Sequence, residues 1–140
     1  MKKYYLLDTN IISEVLKPNP NKEVMINLEA RTHLSCISAI TWAELLYGVL
    51  IMPKGKKKNK LQDYYFNHLN GTFEQIPFDE HAANIYPKLL AQYRKRGGNL
   101  PYHDLQTASI AIANNMILVT RNIKDFEPIP GIMLENWFEG

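Results

Sequence analysis

The chain has 140 residues, a length typical of a single domain with one hydrophobic core. Its 46% hydrophobic and 21% charged residues exclude a disordered or low-complexity chain, and its single cysteine, Cys36, excludes an internal disulfide. The formal net charge of +2 is too small to indicate a nucleic-acid partner by itself.

The first half of the chain alternates short apolar runs with helical patterns. The run YYLL is apolar and ends at Asp-Thr-Asn, which is typical of a buried strand. Pro18 and Pro20 separate the two helical patterns that follow it. The predicted elements are a strand over 3–7, helices over 10–16 and 21–30, a strand over 33–37 that buries Cys36, and a helix over 39–51.

The second half continues the alternation. Asp79 is a plausible N-cap for a long helix that Gly97 and Gly98 end, and Pro87 within it predicts a kink or a break. Asp104 is expected to open the next helix. The predicted elements are a helix over 57–69, a strand over 72–78, helices over 79–96 and from 104, a strand over 116–120 and a short edge strand over 132–137.

This alternation predicts one α/β domain, residues 1–140, with a mostly parallel sheet. In such folds, functional sites lie beyond the carboxyl ends of the strands. Asp8 follows the first strand and the segment RNIKD follows the fourth, so we expect both at one edge of the sheet. No stretch reaches the roughly 18 continuous apolar residues of a membrane span, and we expect a cytoplasmic protein without a membrane partner.

Four acids stand in otherwise apolar or structurally defined surroundings: Asp8, Glu44, Asp104 and Asp125. Gathered in one pocket, their charges would repel and raise each other's pKa values. A hard divalent cation such as Mg²⁺ relieves that conflict, because it prefers oxygen ligands and keeps several waters. A metal held by carboxylates can activate water for the cleavage of a phosphodiester. If the fold brings the four acids together, the pattern therefore predicts a metal site with chemistry suited to phosphodiester cleavage.

Purely structural roles stay open for each acid on its own. Asp8 and Asp104 could be helix N-caps, and Asp125 could be a solvated loop acid. Glu44 forms the pattern TWAE with Thr41, which matches a capping box if a helix begins there. A capping carboxylate can still offer its second oxygen to a metal, so these roles do not exclude the metal site.

Four segments, LLDTNIISEVLKPNPN, LSCISAITWAELLYGV, HDLQTASIAIANN and LVTRNIKDFEPIPGIMLENWF, contain all four acids. They resemble the signature segments of the PIN domain, above all in bacterial and archaeal toxins of the VapC and FitB type. The resemblance runs from Tyr4 to Phe138. It implies a PIN-like three-layer α/β/α sandwich and a ribonuclease that hydrolyses RNA, with Mg²⁺ or Mn²⁺ activating the water.

The resemblance also assigns residues. Asp8, Glu44, Asp104 and Asp125 match the family's catalytic and metal-binding acids, with Asp8 and Asp104 as the main ligands. Supporting positions are matched by Thr9 and Asn10, which would hold the first turn, and by Thr120 and Asn122, which would flank the pocket. Arg121 and Lys124 share a loop with Asp125 and are candidates for contact with RNA. His103 is expected to pack or to be solvated rather than to take part in catalysis.

The implied partners are an RNA substrate, a cognate antitoxin and a second copy of the chain in a homodimer. A larger complex of toxin and antitoxin on operator DNA is implied as well. The alternative is a PIN-fold protein that binds RNA without cleaving it and is neutralised by an antitoxin. The lysine-rich stretch PKGKKKNK, residues 53–60, is expected to be a solvated segment, although it could also meet RNA phosphates.

Overall fold

The computed structural model describes residues 2–139, which form a five-stranded sheet with helices on both faces. The strands are β1 (Tyr5–Leu7), β2 (Ser35–Ser38), β3 (Glu74–Ile76), β4 (Ile117–Val119) and β5 (Met133–Glu135). The helices are α1 (Thr9–Val15), α2 (Lys22–Arg31), α3 (Ala39–Leu50), α4 (Lys56–Tyr64), α5 (Asn70–Thr72), α6 (Glu80–Lys95), α7 (Tyr102–Ala113) and α8 (Ile123–Phe126). A 3₁₀ turn covers Thr32–Leu34 and a π-helical turn covers Tyr65–Leu69.

The sheet order is β3-β2-β1-β4-β5, and every neighbouring pair is parallel. Successive residues of a strand point to opposite faces, so Leu6 enters one core and Leu7 enters another. The Leu6 core packs against α6 and α7, whereas the Leu7 core packs against α1, α2 and α3. These two cores confirm the predicted α/β/α sandwich, and the sheet is fully rather than mostly parallel.

The predicted strands are all present, although most are shorter than the sequence pattern suggests. Cys36 is buried as expected, and burial raises the pKa of its thiol to about 12. Asp79 caps α6 by accepting a hydrogen bond from the backbone N–H of Ala82 at 3.1 Å. No helix within residues 2–139 has the length and apolar character needed to cross a bilayer.

Three predictions about helices are wrong in detail. The helix α6 runs unbroken through Pro87, whose exposed position leaves the buried face of the helix intact. The helix α7 begins at Tyr102 after Pro101, so Asp104 lies in its first turn and is not its cap. The predicted helix over 57–69 ends its regular part at Tyr64 and continues as the π-helical turn.

Ser38 connects the two helices that carry Glu44 and Asp104. Its hydroxyl caps α3 by accepting from the backbone N–H of Thr41 at 2.9 Å, and it lies 3.2 Å from the hydroxyl of Thr107 on α7. All three residues are buried, so water cannot replace these contacts. Ser38 therefore fixes the relative position of α3 and α7 at the carboxyl edge of the sheet.

We expect Ser38→Ala to lower the free energy of unfolding by about 2 kcal/mol, because it removes a helix cap and leaves buried polar groups unpaired. Urea denaturation followed by circular dichroism measures the loss. Ser13→Ala, at an exposed serine within α1, is the matched control and should stay within about 0.5 kcal/mol of the wild type. Equal losses in the two variants would contradict the role of Ser38.

Candidate functional site

Asp8 is a buried carboxyl group at the end of β1, with 5% of its surface exposed. Its Oδ1 accepts a hydrogen bond from the backbone N–H of Thr9 at 2.9 Å, which caps α1. Its Oδ2 accepts from the hydroxyl of Thr120 at 2.8 Å and from the amide of Asn10 at 3.3 Å. Asp8 is therefore both a helix cap and the centre of a polar network.

Thr120 follows β4 and lies beside Asp8 because β1 and β4 are adjacent and parallel. Its hydroxyl accepts from the backbone N–H of Asn122 at 3.1 Å and from the amide of Asn10 at 3.3 Å. The amide oxygen of Asn10 in turn accepts from the backbone N–H of Arg121 at 3.2 Å. The loops after β1 and β4 are thus held together around the carboxylate of Asp8.

Glu44 reaches the same edge from α3. Its Oε1 accepts a hydrogen bond from the hydroxyl of Thr9 at 3.3 Å, and its Oε2 lies 3.0 Å from Nε2 of His103. The same nitrogen lies 3.5 Å from Oδ1 of Asp104. One donor atom from each of Glu44, His103 and Asp104 lies within 4.8 Å of the other two.

The contact of His103 with two acids was missed by the sequence analysis, which expected this side chain to pack or to be solvated. The side chain is 42% exposed, but its ring nitrogen faces the carboxylates. Glu44 and His103 are far apart in the sequence and show no metal-binding spacing. The one signal for this contact in the sequence was that His103 directly precedes Asp104, one of the four candidate acids.

Burial and mutual repulsion make these acids harder to ionise. The pKa of Asp104 is raised to about 6, first by burial and then by the negative charge of Asp8, with a smaller contribution from Asp125. Burial is also the main reason that the pKa values of Asp8 and Glu44 are raised. A positive charge on His103 would oppose all three shifts.

Asp125 is an exposed residue of the short helix α8 rather than of a loop, and its charge contributes to the raised pKa of Asp104. Its backbone carbonyl accepts a hydrogen bond from the hydroxyl of Tyr93 at 3.1 Å. A groove of about 540 Å³ is lined by Asp125 together with Arg121, Asn122 and Lys124. The structure therefore brings Asp8, Glu44 and Asp104 together, with Thr9, Asn10 and Thr120 around them, and places Asp125 on the exposed side of α8.

Comparison with known proteins identifies the family. The model of the PIN domain matches residues 5–131, which is most of the chain. The chain is 38% identical to "Ribonuclease VapC2" of Rickettsia felis, over 95% of this chain and 97% of that protein. It is 33% identical to "Toxin FitB" of Neisseria gonorrhoeae, over 96% and 99% of the two proteins.

A solved structure agrees with these sequence matches. The complex VapBC2 from Rickettsia felis, bound to a DNA fragment from its promoter, contains a chain that is 34% identical and superposes with a TM-score of 0.80. The alignment covers 96% of this chain and 98% of that one. The protein therefore belongs to the PIN domain family, in its VapC and FitB group of toxins. This confirms the resemblance drawn from the sequence.

The raised pKa of Asp104 predicts how stability depends on pH. The native state keeps a proton that the unfolded chain has already released, so this group's contribution is full below its ordinary pKa of 3.8 and is lost as the pH rises through about 6. At neutral pH, without divalent metal, we expect Asp104→Asn to gain about 1–2 kcal/mol in the free energy of unfolding.

Denaturation at pH values on both sides of this window tests the prediction. The gain should disappear under acid conditions, where the wild-type carboxyl group is neutral as well. Asp63→Asn, at an exposed acid of α4, is the control for the substitution itself and should stay within about 0.5 kcal/mol of the wild type at neutral pH. A gain of the same size at every pH would contradict the electrostatic origin of the effect.

Proposed function

We propose that the protein is a metal-dependent endoribonuclease, the toxin component of a type II toxin–antitoxin module. The observation that carries this proposal is the convergence of Asp8, Glu44 and Asp104 at one edge of a parallel sheet. The names of two relatives, a ribonuclease at 38% identity and a toxin at 33% identity, support the activity and the biological role.

The donor set fits a hard divalent cation. Three carboxyl groups in a half-buried cluster offer oxygen ligands, which Mg²⁺ and Mn²⁺ prefer. Their raised pKa values mean that the ionised forms are disfavoured in this cluster, and a bound cation would lower that cost. We propose that Asp8, Glu44 and Asp104 hold the ion, with Asp125 as a further acid on α8. The bound ion would supply activation of water and stabilisation of the leaving oxygen in phosphodiester hydrolysis.

The surrounding polar side chains orient the acids. Asp8 is held by hydrogen bonds from Thr9, Asn10 and Thr120, which fix both of its oxygens. The hydroxyl of Thr9 also binds Glu44, so one residue connects the acid after β1 with the acid on α3. Fixed ligands need no rearrangement when charge develops in the reaction, which is the main source of electrostatic catalysis.

The groove beside Asp125 carries side chains of both charges, with Asp125, Glu127 and Glu139 as its acids. Its cations are Arg121 and Lys124, and Asn122 adds hydrogen-bonding groups. Cations attract phosphates regardless of sequence, and the attraction weakens as salt increases. We propose that Arg121 and Lys124 position the substrate, since both closely follow Thr120, whose hydroxyl donates to Asp8.

We further propose that a cognate antitoxin binds this chain and that the complex binds operator DNA. The support is the VapBC2 complex of Rickettsia felis on a fragment of its promoter DNA, which contains a chain 34% identical to this one. A homodimer is proposed from the family resemblance. Its support in this chain is an exposed apolar patch on and directly after α3, formed by Tyr47, Leu50 and Ile51, each more than 60% exposed.

Cleavage of labelled total RNA by the purified protein, freed of any bound partner, tests the activity. We expect discrete fragments with Mg²⁺ or Mn²⁺ and none with EDTA. Asp8→Asn should cut cleavage by at least about 100-fold, because even groups that only support metal ligands cost 10–100-fold when lost. Circular dichroism should report a folded variant, since the amide has the shape of the carboxyl group.

Asp63→Asn is the matched control for this experiment, because it makes the same chemical change at an exposed acid outside the cluster. It should cleave RNA at the wild-type rate. If folded Asp8→Asn still cleaves with metal, the role of Asp8 is wrong. If the metal-loaded wild type binds RNA but leaves it intact, the alternative of RNA binding without cleavage replaces the nuclease.

Metal binding should also stabilise the native state. An ion present at about 100 times its dissociation constant adds about 2.7 kcal/mol, which raises Tm by roughly 5–10 °C in a domain of this size. Differential scanning calorimetry with Mg²⁺ or Mn²⁺ measures the shift, at matched ionic strength. Asp104→Asn should lose most of the shift and Asp63→Asn should keep it. An unchanged Tm in the wild type would contradict the metal centre.

A further inference from the structure

The side chain of His103 contacts two of the acids, Glu44 and Asp104. His103 directly precedes Asp104 in the first turn of α7, and neighbouring residues of a helix normally point to different sides. Here the His103 ring contacts both Asp104 and Glu44 on α3, because its nitrogen Nε2 lies 3.0 Å from Glu44 Oε2 and 3.5 Å from Asp104 Oδ1. The cluster therefore contains a nitrogen donor as well as oxygens.

The spacing of these atoms matches that of ligands around one ion. Two neighbouring ligands of an octahedral ion with bonds of about 2.1 Å lie about 3.0 Å apart, and a tetrahedral arrangement widens this to about 3.4 Å. The distances from the imidazole to the two carboxylates fall at these values. Within the described residues 2–139, Glu44, His103 and Asp104 are the one group of histidines, cysteines and acids whose donor atoms all lie within 4.8 Å of one another.

The packing of α3 against α7 positions the backbone that carries His103 and Glu44. The Ser38 hydroxyl joins the start of α3 to Thr107, which lies one turn after His103 on α7. Glu44 is held from its other side by the Thr9 hydroxyl, which contacts Oε1 and leaves Oε2 to the imidazole. A donor set fixed in this way loses little conformational entropy when an ion binds.

We propose that His103 is itself a ligand of the metal ion, so that the centre has a mixed set of nitrogen and oxygen donors and prefers Mn²⁺ to Mg²⁺. This inference rests on the proposed function, because it concerns the same metal centre. Imidazole is a softer ligand than a carboxylate and suits first-row transition metals, whereas Mg²⁺ takes oxygen ligands. As a neutral donor, it also adds a bond to the ion without adding another negative charge to the acids.

Pulsed electron paramagnetic resonance of Mn²⁺ bound to the full chain tests this directly. A directly bonded imidazole nitrogen modulates the spin echo of Mn²⁺, whereas a histidine that only pairs with the acids does not. We expect ¹⁴N modulation in the wild type and its loss in His103→Gln. His81→Gln, at an exposed histidine in the first turn of α6, is the control and should keep the modulation.

Isothermal titration with Mn²⁺ and with Mg²⁺ supplies the second measurement. We expect His103→Gln to weaken Mn²⁺ binding by at least about tenfold while Mg²⁺ binding changes by less than about threefold. Bound Mn²⁺ without nitrogen modulation in the wild type, or equal losses for the two ions, would overturn the inference.

The two proposals fail in distinguishable ways. If Mn²⁺ binds without nitrogen modulation and RNA is still cleaved, His103 is only a counter-ion of the acids and the proposed nuclease stands. If neither ion binds the folded wild type, both the ligand role of His103 and the metal-dependent nuclease are wrong.

Discussion

The carboxylate of Asp8 is the constraint on which the site depends. It lies at the end of a central strand, almost fully buried, where an unpaired charge would be too costly to keep. The hydrogen bonds of Thr9, Asn10 and Thr120 to its two oxygens make that burial tolerable. The same bonds join the loops after β1 and β4. The hydrogen bonds that stabilise the charge of Asp8 therefore also determine the shape of the site.

Keeping Glu44 and Asp104 ionised in this cluster lowers the stability of the native state, and interactions elsewhere in the fold offset that loss. Burial and neighbouring negative charge raise the pKa values of Glu44 and Asp104, which means that their ionised forms oppose folding. Asp104 lies in the first turn of α7, where the helix dipole favours a negative charge, and His103 adds a second compensation. The two hydrophobic cores on either side of the sheet supply the stability that makes such a cluster possible.

The sequence predicted the parallel sheet, and the edge at which Asp8 and the segment after β4 meet, because those depend on local patterns. Strand-forming runs alternate with helices, and Asp8 and Thr120 stand directly after two of the strands. It did not predict the contact between His103 and Glu44, because that contact depends on how α3 packs against α7. The start of α7 was misjudged because Pro101 opens the helix earlier than Asp104 suggested, and Pro87 was tolerated because it lies on an exposed face.

The donor and acceptor in each hydrogen bond of the Thr120 hydroxyl can be assigned. Two N–H groups, from Asn10 and from the backbone of Asn122, occupy its acceptor positions, so its single proton points to Asp8. Each hydrogen bond of this hydroxyl therefore has a fixed donor and acceptor. Turning the Thr120 proton away from Asp8 would break the bond to Oδ2 and disturb the two bonds that the hydroxyl accepts. Serine at this position could keep that polarity, whereas valine, with nearly the same shape, would remove one of the two hydrogen bonds to Oδ2 of Asp8 and the acceptor of the Asn122 backbone N–H.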